Sequence, residues 1–254
     1  MSVALQFRDI TVTTATGRTL LHGISLAIEE GTVAAIIGRS GSGKTTLLRT
    51  ANRMIEPTAG EVYIPGQPTN DVTRLRRGIG YVIQETGLFP HFTVERNVGL
   101  VLEAEGRPLS QRKQRARELL QQVGLDSATF ATRYPHQLSG GQRQRVGLAR
   151  ALAADPKILL MDEPFGALDP LTRAEMQDMV RELLHRLKTT VLLVTHDLDE
   201  ALYLASRIVL LSSGKLIADL SRDEFLRSDH PEIVAYARAF HRVQADADGK
   251  AHPA

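Results

Sequence analysis

Short, continuous apolar runs recur along the chain, separated by polar or glycine-rich stretches. Strands that are buried on both faces have this pattern, whereas strands with one solvated face alternate apolar and polar residues. Helical segments separate the third run from the fourth and the fourth from the fifth. The pattern therefore predicts an α/β fold with a mostly parallel sheet covered on both faces. The predicted strands are residues 33–37, 79–83, 158–161, 191–194 and 208–211.

The N-terminal region has a different pattern. Residues 3–12 and 19–28 alternate or cluster apolar residues around a turn at 16–18, as two antiparallel strands would. A turn at 58–61 leads into a further short strand at 62–64. We therefore expect an antiparallel β subdomain beside the parallel sheet.

Residues 87–153 have helical character and predict a helical subdomain. Four apolar residues at i, i+3, i+4 and i+7 form one face of a helix that Ser110 can cap. They are Ala116, Leu119, Leu120 and Val123. Basic residues on this helix form either a patch for an acidic partner or an ordinary solvated face, and Glu118 with the glutamines favours the solvated face. They are Arg107, Arg112, Lys113, Arg115 and Arg117.

The composition narrows the class of protein. A chain of 254 residues with 43% apolar content can bury a substantial core. Its 31 lysines and arginines nearly balance 29 aspartates and glutamates, so bulk charge does not favour a nucleic-acid partner. The absence of cysteine excludes disulfides and thiolate metal sites. No apolar run approaches the roughly 18 residues of a membrane span, and the N-terminus lacks the pattern of a signal peptide. We expect a soluble, intracellular protein.

A glycine-rich stretch joins the strand at 33–37 to a helix that ends near residue 57. A strand, a glycine-rich turn and a helix in this order form a phosphate-binding loop. The glycines let backbone N–H groups approach phosphate oxygens, and the helix N-terminus adds partial positive charge. Lys44 supplies a full charge for the terminal phosphates, and Thr45 supplies a hydroxyl for Mg²⁺. The predicted nucleotide-binding residues are Gly38, Arg39, Ser40, Gly41, Ser42, Gly43, Lys44, Thr45 and Thr46.

Other chemically active side chains directly follow the apolar runs. They are Gln84, Asp162, Glu163 and His196. In parallel α/β sheets, the carboxyl ends of the strands share one edge, where ligands bind. We therefore expect these four side chains to share one crevice with the phosphate-binding loop.

The adjacent acids Asp162 and Glu163 point in different directions and therefore suit different roles. Asp162, directly at the strand end, can hold the Mg²⁺ shell, and Glu163 can accept a proton from an attacking water. The same pair could instead cap a helix or occupy a solvated turn. His196 is placed for a γ-phosphate contact, although a lone histidine is commonly structural. Asp197 and Glu200 beside it have the spacing of a helix N-terminal cap.

The segment Leu138-Ser139-Gly140-Gly141-Gln142 has two interpretations. Ser139 and Gln142 have the spacing of a capping box, which requires only that a helix begins here. A glycine-rich helix N-terminus is also an anion site. The chain would then carry a second phosphate-binding element about a hundred residues after the first.

Together these residues closely resemble the ATP-binding subunit of ATP-binding-cassette (ABC) transporters, over about residues 3–240. The phosphate-binding loop resembles the Walker A motif, and Gln84 resembles the Q-loop glutamine. The segment at 138–142 resembles the family signature, which separates this family from other P-loop ATPases. The resemblance predicts one ATPase domain over 1–240, with the helical subdomain at about 87–153 inserted.

The second half of the chain continues the resemblance in the family's order. Residues 158–162 resemble the Walker B motif, followed by Glu163 as the catalytic base. Asp169 ends a segment similar to the D-loop, and His196 resembles the switch histidine. Residues 241–254 lie beyond this region, and we expect them to form a disordered tail. From Gln244 onward they are rich in Ala, Asp and Gly without periodicity.

The resemblance implies how these residues work. ATP and Mg²⁺ are the expected cofactors, with Thr45, Gln84 and Asp162 at the metal and Glu163, His196 and Gln84 in catalysis. Two subunits sandwich two ATP molecules, so that the signature of one subunit faces the γ-phosphate held by the other. The signature and D-loop residues that join the site are Ser139, Gly140, Gly141, Gln142 and Asp169. The family's other partners are a permease, which docks on the helical subdomain, and indirectly a substrate-binding protein. These partners imply that the subunit lies on the cytoplasmic face of the inner membrane.

Residues 81–91 and 165–170 look most like importers of osmoprotectants, the glycine betaine, choline and carnitine class. Import of amino acids is an alternative, as is a soluble ABC ATPase of DNA repair or translation. A P-loop kinase or GTPase is disfavoured by the signature. The family usually places an aromatic residue near position 15 to stack on adenine, but residues 12–16 contain none.

Overall fold

The computed structural model describes residues 2–66 and 71–249, with 241–249 as backbone only. Within this part of the chain, nine strands form two sheets: β1 (Val3–Thr13), β2 (Thr19–Glu29), β3 (Val33–Ile37), β4 (Ala59–Tyr63), β5 (Ile79–Val82), β6 (Ile158–Asp162), β7 (Thr190–Val194), β8 (Arg207–Ser212) and β9 (Lys215–Ser221). The helices are α1 (Lys44–Ala51), α2 (Val72–Arg77), α3 (Val94–Val98), α4 (Leu100–Ala104), α5 (Leu109–Gln122), α6 (Ser127–Phe130), α7 (Gly140–Ala151), α8 (Pro170–Leu187), α9 (Leu198–Leu204), α10 (Arg222–Leu226) and α11 (Pro231–Gly249), with a 3₁₀ turn at Pro135–Gln137.

The larger sheet has the strand order β5-β6-β7-β3-β8-β9. Its first five strands are parallel, and β9 pairs antiparallel with β8. All five predicted apolar runs are strands of this sheet, within one residue of the expected bounds. Strand β9 was not predicted, because its side chains are only partly buried and its sequence lacks a continuous apolar run. The predicted α/β class is confirmed.

Each strand of the larger sheet contributes side chains to two hydrophobic cores, one on each face. In β3, Ala35 and Ile37 belong to one core, and Ala34 and Ile36 belong to the other. This alternation follows from the two-residue period of a strand. Helices α3, α5, α7 and α8 share the first core, whereas the smaller sheet and α1 share the second. Because both faces are covered, the central strands have continuous apolar sequences.

The smaller sheet has the order β2-β1-β4 and is the antiparallel region that the sequence predicts. Strand β4 differs from the prediction because it begins at Ala59, inside the expected turn. A Cβ atom on Gly60 would lie 2.3 Å from the carbonyl oxygens of both Arg8 and Asp9. Glycine therefore allows close approach of β4 to an irregularly paired stretch of β1.

Two helix ends differ from the sequence-based expectation. Helix α1 ends at Ala51 rather than near residue 57. Arg53 has a φ of +55°, in the left-handed region that commonly terminates helices. Helix α5 begins at Leu109, after Pro108 in an extended conformation, so Ser110 lies inside the helix and is not its cap.

The apolar face predicted on α5 is buried, as expected. The basic residues in and before this helix are paired with acidic side chains on the surface. This pairing supports the interpretation of a solvated face and not a free basic patch. The pairs are Arg107–Glu105, Arg112–Glu103, Lys113–Glu95, Arg115–Asp155 and Arg117–Glu95.

The C-terminal segment also differs from the prediction. Helix α11 continues to Gly249, so most of the expected disordered tail at 241–254 is helical, and residues 250–254 lie outside the described residues. The alanine content of this segment favours a helix without amphipathic periodicity. None of the helices in the described part of the chain has the length and apolar character that a bilayer crossing requires.

Candidate nucleotide-binding site

The glycine-rich loop between β3 and α1 has a backbone that requires glycine at two positions. Gly38 has a φ of +149°, and a Cβ atom there would lie 2.2 Å from the carbonyl oxygen of Leu211. Gly43 has a φ of +101°, and its Cβ atom would lie 2.6 Å from the Leu21 side chain. The loop is therefore curled tightly against its neighbours, as a phosphate-binding loop must be.

Lys44, the first residue of α1, is buried at the centre of this loop. Its Nζ donates hydrogen bonds to the carbonyl oxygens of Gly38 at 2.8 Å and Arg39 at 3.0 Å. Burial lowers the pKa of Lys44, and the nearby Glu163 and Asp162 carboxylates oppose this shift. The ammonium group is thus held inside the loop by groups that phosphate oxygens could replace.

Asp162 lies at the carboxyl end of β6 and is buried. Its Oδ1 accepts a hydrogen bond from the Thr45 hydroxyl at 2.8 Å. Its Oδ2 accepts from the Tyr81 hydroxyl at 3.2 Å and from Arg49 at 3.4 Å. A buried carboxylate needs such donors to offset its desolvation.

Arg49 and Tyr81 belong to this network but were not predicted from the sequence. Two signals could have found them. Arg49 follows Thr45 by four residues, so the two side chains share one face of α1. Tyr81 carries a hydroxyl group within an otherwise apolar strand, and such a group needs a buried partner.

Glu163 follows β6 with a φ of +46°, a left-handed conformation that non-glycine residues rarely adopt. Its backbone N–H donates to the carbonyl oxygen of Val194 at 2.9 Å. Its Oε2 lies 3.4 Å from Nε2 of Gln84 and 3.3 Å from Nδ1 of His196. The structure thus brings together three side chains that follow three different strands.

The predicted side chains follow β5, β6, β7 and β3, whose carboxyl ends are neighbours in the sheet. Thr45 and Asp162 face each other with oxygen atoms, the donor type that Mg²⁺ prefers. The described contact of the Gln84 amide is with Glu163 and not with either of these two residues. The donor chemistry therefore fits Mg²⁺ at Thr45 and Asp162.

Ser139 and Gln142 form the predicted capping box at the start of α7, with the Ser139 hydroxyl accepting from the Gln142 N–H at 3.2 Å. A Cβ atom on Gly141 would lie 2.5 Å from the side chain of Thr172. Asp169 caps α8 by accepting from the Thr172 N–H at 3.1 Å. The signature segment and Asp169 are therefore neighbours. Within the described residues, no hydrogen bond joins residues 139–142 to the phosphate-binding loop.

The fold and these contacts define a P-loop nucleotide-binding protein. The sequence profile of the ABC transporter family matches residues 21–166, which is more than half of the chain. The chain therefore belongs to this family.

Two curated relatives are similar over most of the chain. The choline transport ATP-binding protein OpuBA of Bacillus subtilis is 46% identical over 232 residues, which cover 91% of this chain and 61% of the relative. The osmoprotectant import ATP-binding protein OsmV of Salmonella typhimurium is 47% identical over 216 residues, which cover 84% of this chain and 56% of the relative. The chain thus spans only part of the length of these relatives.

Solved structures of ABC cassettes have the same fold. The dimeric post-hydrolysis state of the cassette MJ0796, bound to ADP and Pi, is 36% identical with a TM-score of 0.76, covering 86% of this chain and 98% of that one. The structure of cbiO1 from Clostridium perfringens, part of the transporter complex cbiONQ, is 26% identical with a TM-score of 0.81, covering 96% and 100%.

Proposed function

We propose that this chain is the ATP-hydrolysing subunit of a membrane importer for osmoprotectants of the quaternary-amine class. The observation that carries the ATPase assignment is the cluster beside the phosphate-binding loop, where Glu163 lies within 3.4 Å of both Gln84 and His196. The substrate class is supported by relatives whose names specify choline, glycine betaine, carnitine or osmoprotectants.

The triphosphate binds in the loop from Gly38 to Thr46. Backbone N–H groups of this loop and the N-terminus of α1 point at phosphate oxygens. Lys44 exchanges its bonds with the loop carbonyls for bonds with the terminal phosphates. Thr45 and Asp162 hold Mg²⁺, with Gln84 as a further oxygen ligand. When bound, the ion supplies charge neutralisation at the β- and γ-phosphates.

Hydrolysis depends on positioning and charge stabilisation, because phosphoryl transfer needs little covalent chemistry from a protein. Glu163 orients the attacking water and accepts its proton. His196 contacts the γ-phosphate and, with Gln84, holds the Glu163 carboxylate in place. The backbone N–H of Glu163 donates a hydrogen bond to Val194 of β7, which fixes the position from which the carboxylate extends.

A second copy of the chain completes each site. The signature residues Ser139, Gly140, Gly141 and Gln142 of one subunit face the γ-phosphate bound by the other, with Asp169 beside them. The start of α7 suits this role because its N–H groups carry partial positive charge. The cassette MJ0796 is described as a dimer in its nucleotide-bound structure, which supports this arrangement.

The helical subdomain at about 87–153 docks a transmembrane permease, and a substrate-binding protein delivers the solute to that permease. The subunit then lies peripherally on the cytoplasmic face of the inner membrane.

Affinity purification from native membranes tests the transport function, with the tagged chain as bait and an unrelated tagged protein as control. We expect a permease together with a substrate-binding protein that binds choline or glycine betaine when titrated with them. A binding protein that takes only amino acids would contradict the substrate class. A permease without a binding protein would indicate export, and no membrane partner would contradict the transport function.

A further inference from the structure

Helix α11 packs on the same core that holds the larger sheet. Ile233 is buried, and Tyr236, Ala237 and Phe240 pack against that core. The spacing of these residues, i, i+3, i+4 and i+7, is one face of a helix. This face fixes α11 beside the phosphate-binding loop.

Tyr236 places a hydroxyl group at the end of this apolar face. The hydroxyl donates a hydrogen bond to the backbone carbonyl oxygen of His196 at 3.2 Å. Burial raises the pKa of Tyr236, whereas the nearby Gly38 backbone acts in the opposite direction on this pKa. The phenol therefore keeps its proton at neutral pH and remains a donor. A side chain of α11 thus holds the loop that follows β7, and it lines a cavity beside the phosphate-binding loop.

The space between α11 and the phosphate-binding loop is not filled by side chains near Tyr236. A cavity of about 370 Å³ lies between α11 and the phosphate-binding loop, and its walls include Arg39, Ser42, Glu232 and Tyr236. The two elements are therefore not joined by a continuous packed interface at this point. The hydrogen bond of Tyr236 instead joins α11 to the loop after β7.

The His196 side chain is 63% exposed, so few packing contacts fix its direction. The preceding residue, Thr195, is buried, and its hydroxyl accepts from the Asp197 N–H at 3.0 Å. The position of the His196 backbone therefore decides whether the imidazole reaches Glu163, 3.3 Å away.

We propose that Tyr236 is a positioning residue for ATP hydrolysis: it holds the His196 backbone in place through its hydrogen bond to the His196 carbonyl oxygen, so that the imidazole meets Glu163. This inference rests on the proposed function, because it assigns Glu163 and His196 to hydrolysis. It also gives the C-terminal helix a direct mechanical link to the catalytic cluster.

Steady-state ATP hydrolysis by the full chain tests the inference with Tyr236→Phe, which removes the hydroxyl and keeps the ring. Tyr203→Phe is the matched control, because the Tyr203 hydroxyl donates to Asp178 on the outer surface of α8. We expect Tyr236→Phe to lower kcat roughly three- to tenfold, the net value of one hydrogen bond. The KM for ATP should stay unchanged, and the Tm should fall no more than it does in Tyr203→Phe, which also loses one hydrogen bond but should keep the parent kcat.

The same substitution in a His196→Ala background separates positioning from a general structural effect. If Tyr236 acts through His196, the second substitution adds no further loss of kcat. An equal loss in both backgrounds, or a raised KM with a lowered Tm, would overturn the inference. Unchanged kcat in an active parent would overturn it too, while leaving the proposed function intact. A parent chain that does not hydrolyse ATP would contradict both.

Discussion

Asp162, at the carboxyl end of β6, connects the strand to the side chains around the phosphate-binding loop. Asp162 is buried, and its two oxygens accept hydrogen bonds from Thr45, Arg49 and Tyr81. The hydrogen bond with Tyr81 and the attraction of Asp162 raise the pKa of Arg49 above its ordinary value, so its charge is permanent. These donors hold the carboxylate oriented toward the start of α1.

Lys44→Ala tests the phosphate-binding loop at the level of one residue. A charged hydrogen bond contributes roughly 1.5–3 kcal/mol, so we expect ATP affinity to fall by about ten- to a hundredfold. Binding of a fluorescent ATP analogue in EDTA measures this without hydrolysis. The control is Lys157→Ala, an exposed lysine just before β6 at the opposite end of the sheet. Normal affinity in Lys44→Ala would show that the loop does not bind the triphosphate.

Helix α7 connects two parts of the candidate site. Its N-terminus carries the capping box of Ser139 and Gln142. Near its C-terminus, Arg150 donates to the carbonyl oxygens of Thr86 and Gly87 at 2.7 Å, just after Gln84. A shift of this helix would therefore move the signature segment and the Gln84 loop together.

Ser139→Arg tests the role of this helix N-terminus between subunits. The bulky cation should block ATP-driven dimerisation, while each monomer still binds nucleotide. Size-exclusion chromatography with light scattering, in ATP with EDTA, measures the association.

Ser221→Arg is the matched control, because Ser221 and Glu224 form the same kind of capping box on α10. Both variants lose about 1 kcal/mol of capping energy, so only the interface effect should differ. If Ser139→Arg dimerises as readily as Ser221→Arg, the role of the signature in a second subunit's site is wrong.

At the scale of the whole molecule, two cores on opposite faces fix the sheet and bring its strand ends together. The carboxyl group of Glu200 is buried in this framework without hydrogen bonds from the described residues to both of its oxygens. Glu200 on α9 is buried, and its Oε1 has no hydrogen-bond partner among the residues that the structure describes. Burial and the nearby Asp197 raise its pKa to about 8, against the opposing effects of Thr195 and Arg173.

This raised pKa predicts a pH dependence of stability. Between about pH 4.5 and 8, folded Glu200 keeps a proton that the unfolded chain releases, so its contribution to stability falls as pH rises. Glu200→Gln lacks this titration. We expect the Tm of Glu200→Gln relative to the parent to rise from pH 5 to pH 8, as measured by circular dichroism. Glu175→Gln, at an exposed site on α8, should show no such trend. A constant difference between Glu200→Gln and the parent would contradict the assignment.

Sequence patterns predicted the elements that depend on the local order of residues. They did not predict features that depend on contacts between distant parts of the chain. The buried strands and the loop around Lys44 follow from apolar runs and glycine spacing. Gly60 was predicted to lie in a turn, but it lies in β4, because only glycine allows this strand to approach β1 so closely. The contacts of Arg49, Tyr81 and Tyr236 join elements far apart in the chain. Local signals exist for Arg49, four residues after Thr45, and for Tyr81, a hydroxyl in an apolar strand, but the partners of all three depend on the folded structure.

Glu163→Gln tests the central claim, that this chain hydrolyses ATP with Glu163 as the base. The amide keeps the shape of the side chain but cannot accept the proton from water. We expect phosphate release to fall by roughly 10²–10⁴-fold, with ATP affinity retained and an ATP-bound dimer accumulating. Glu182→Gln, an exposed glutamate on α8, should hydrolyse ATP like the parent. Unchanged phosphate release by Glu163→Gln would contradict the account.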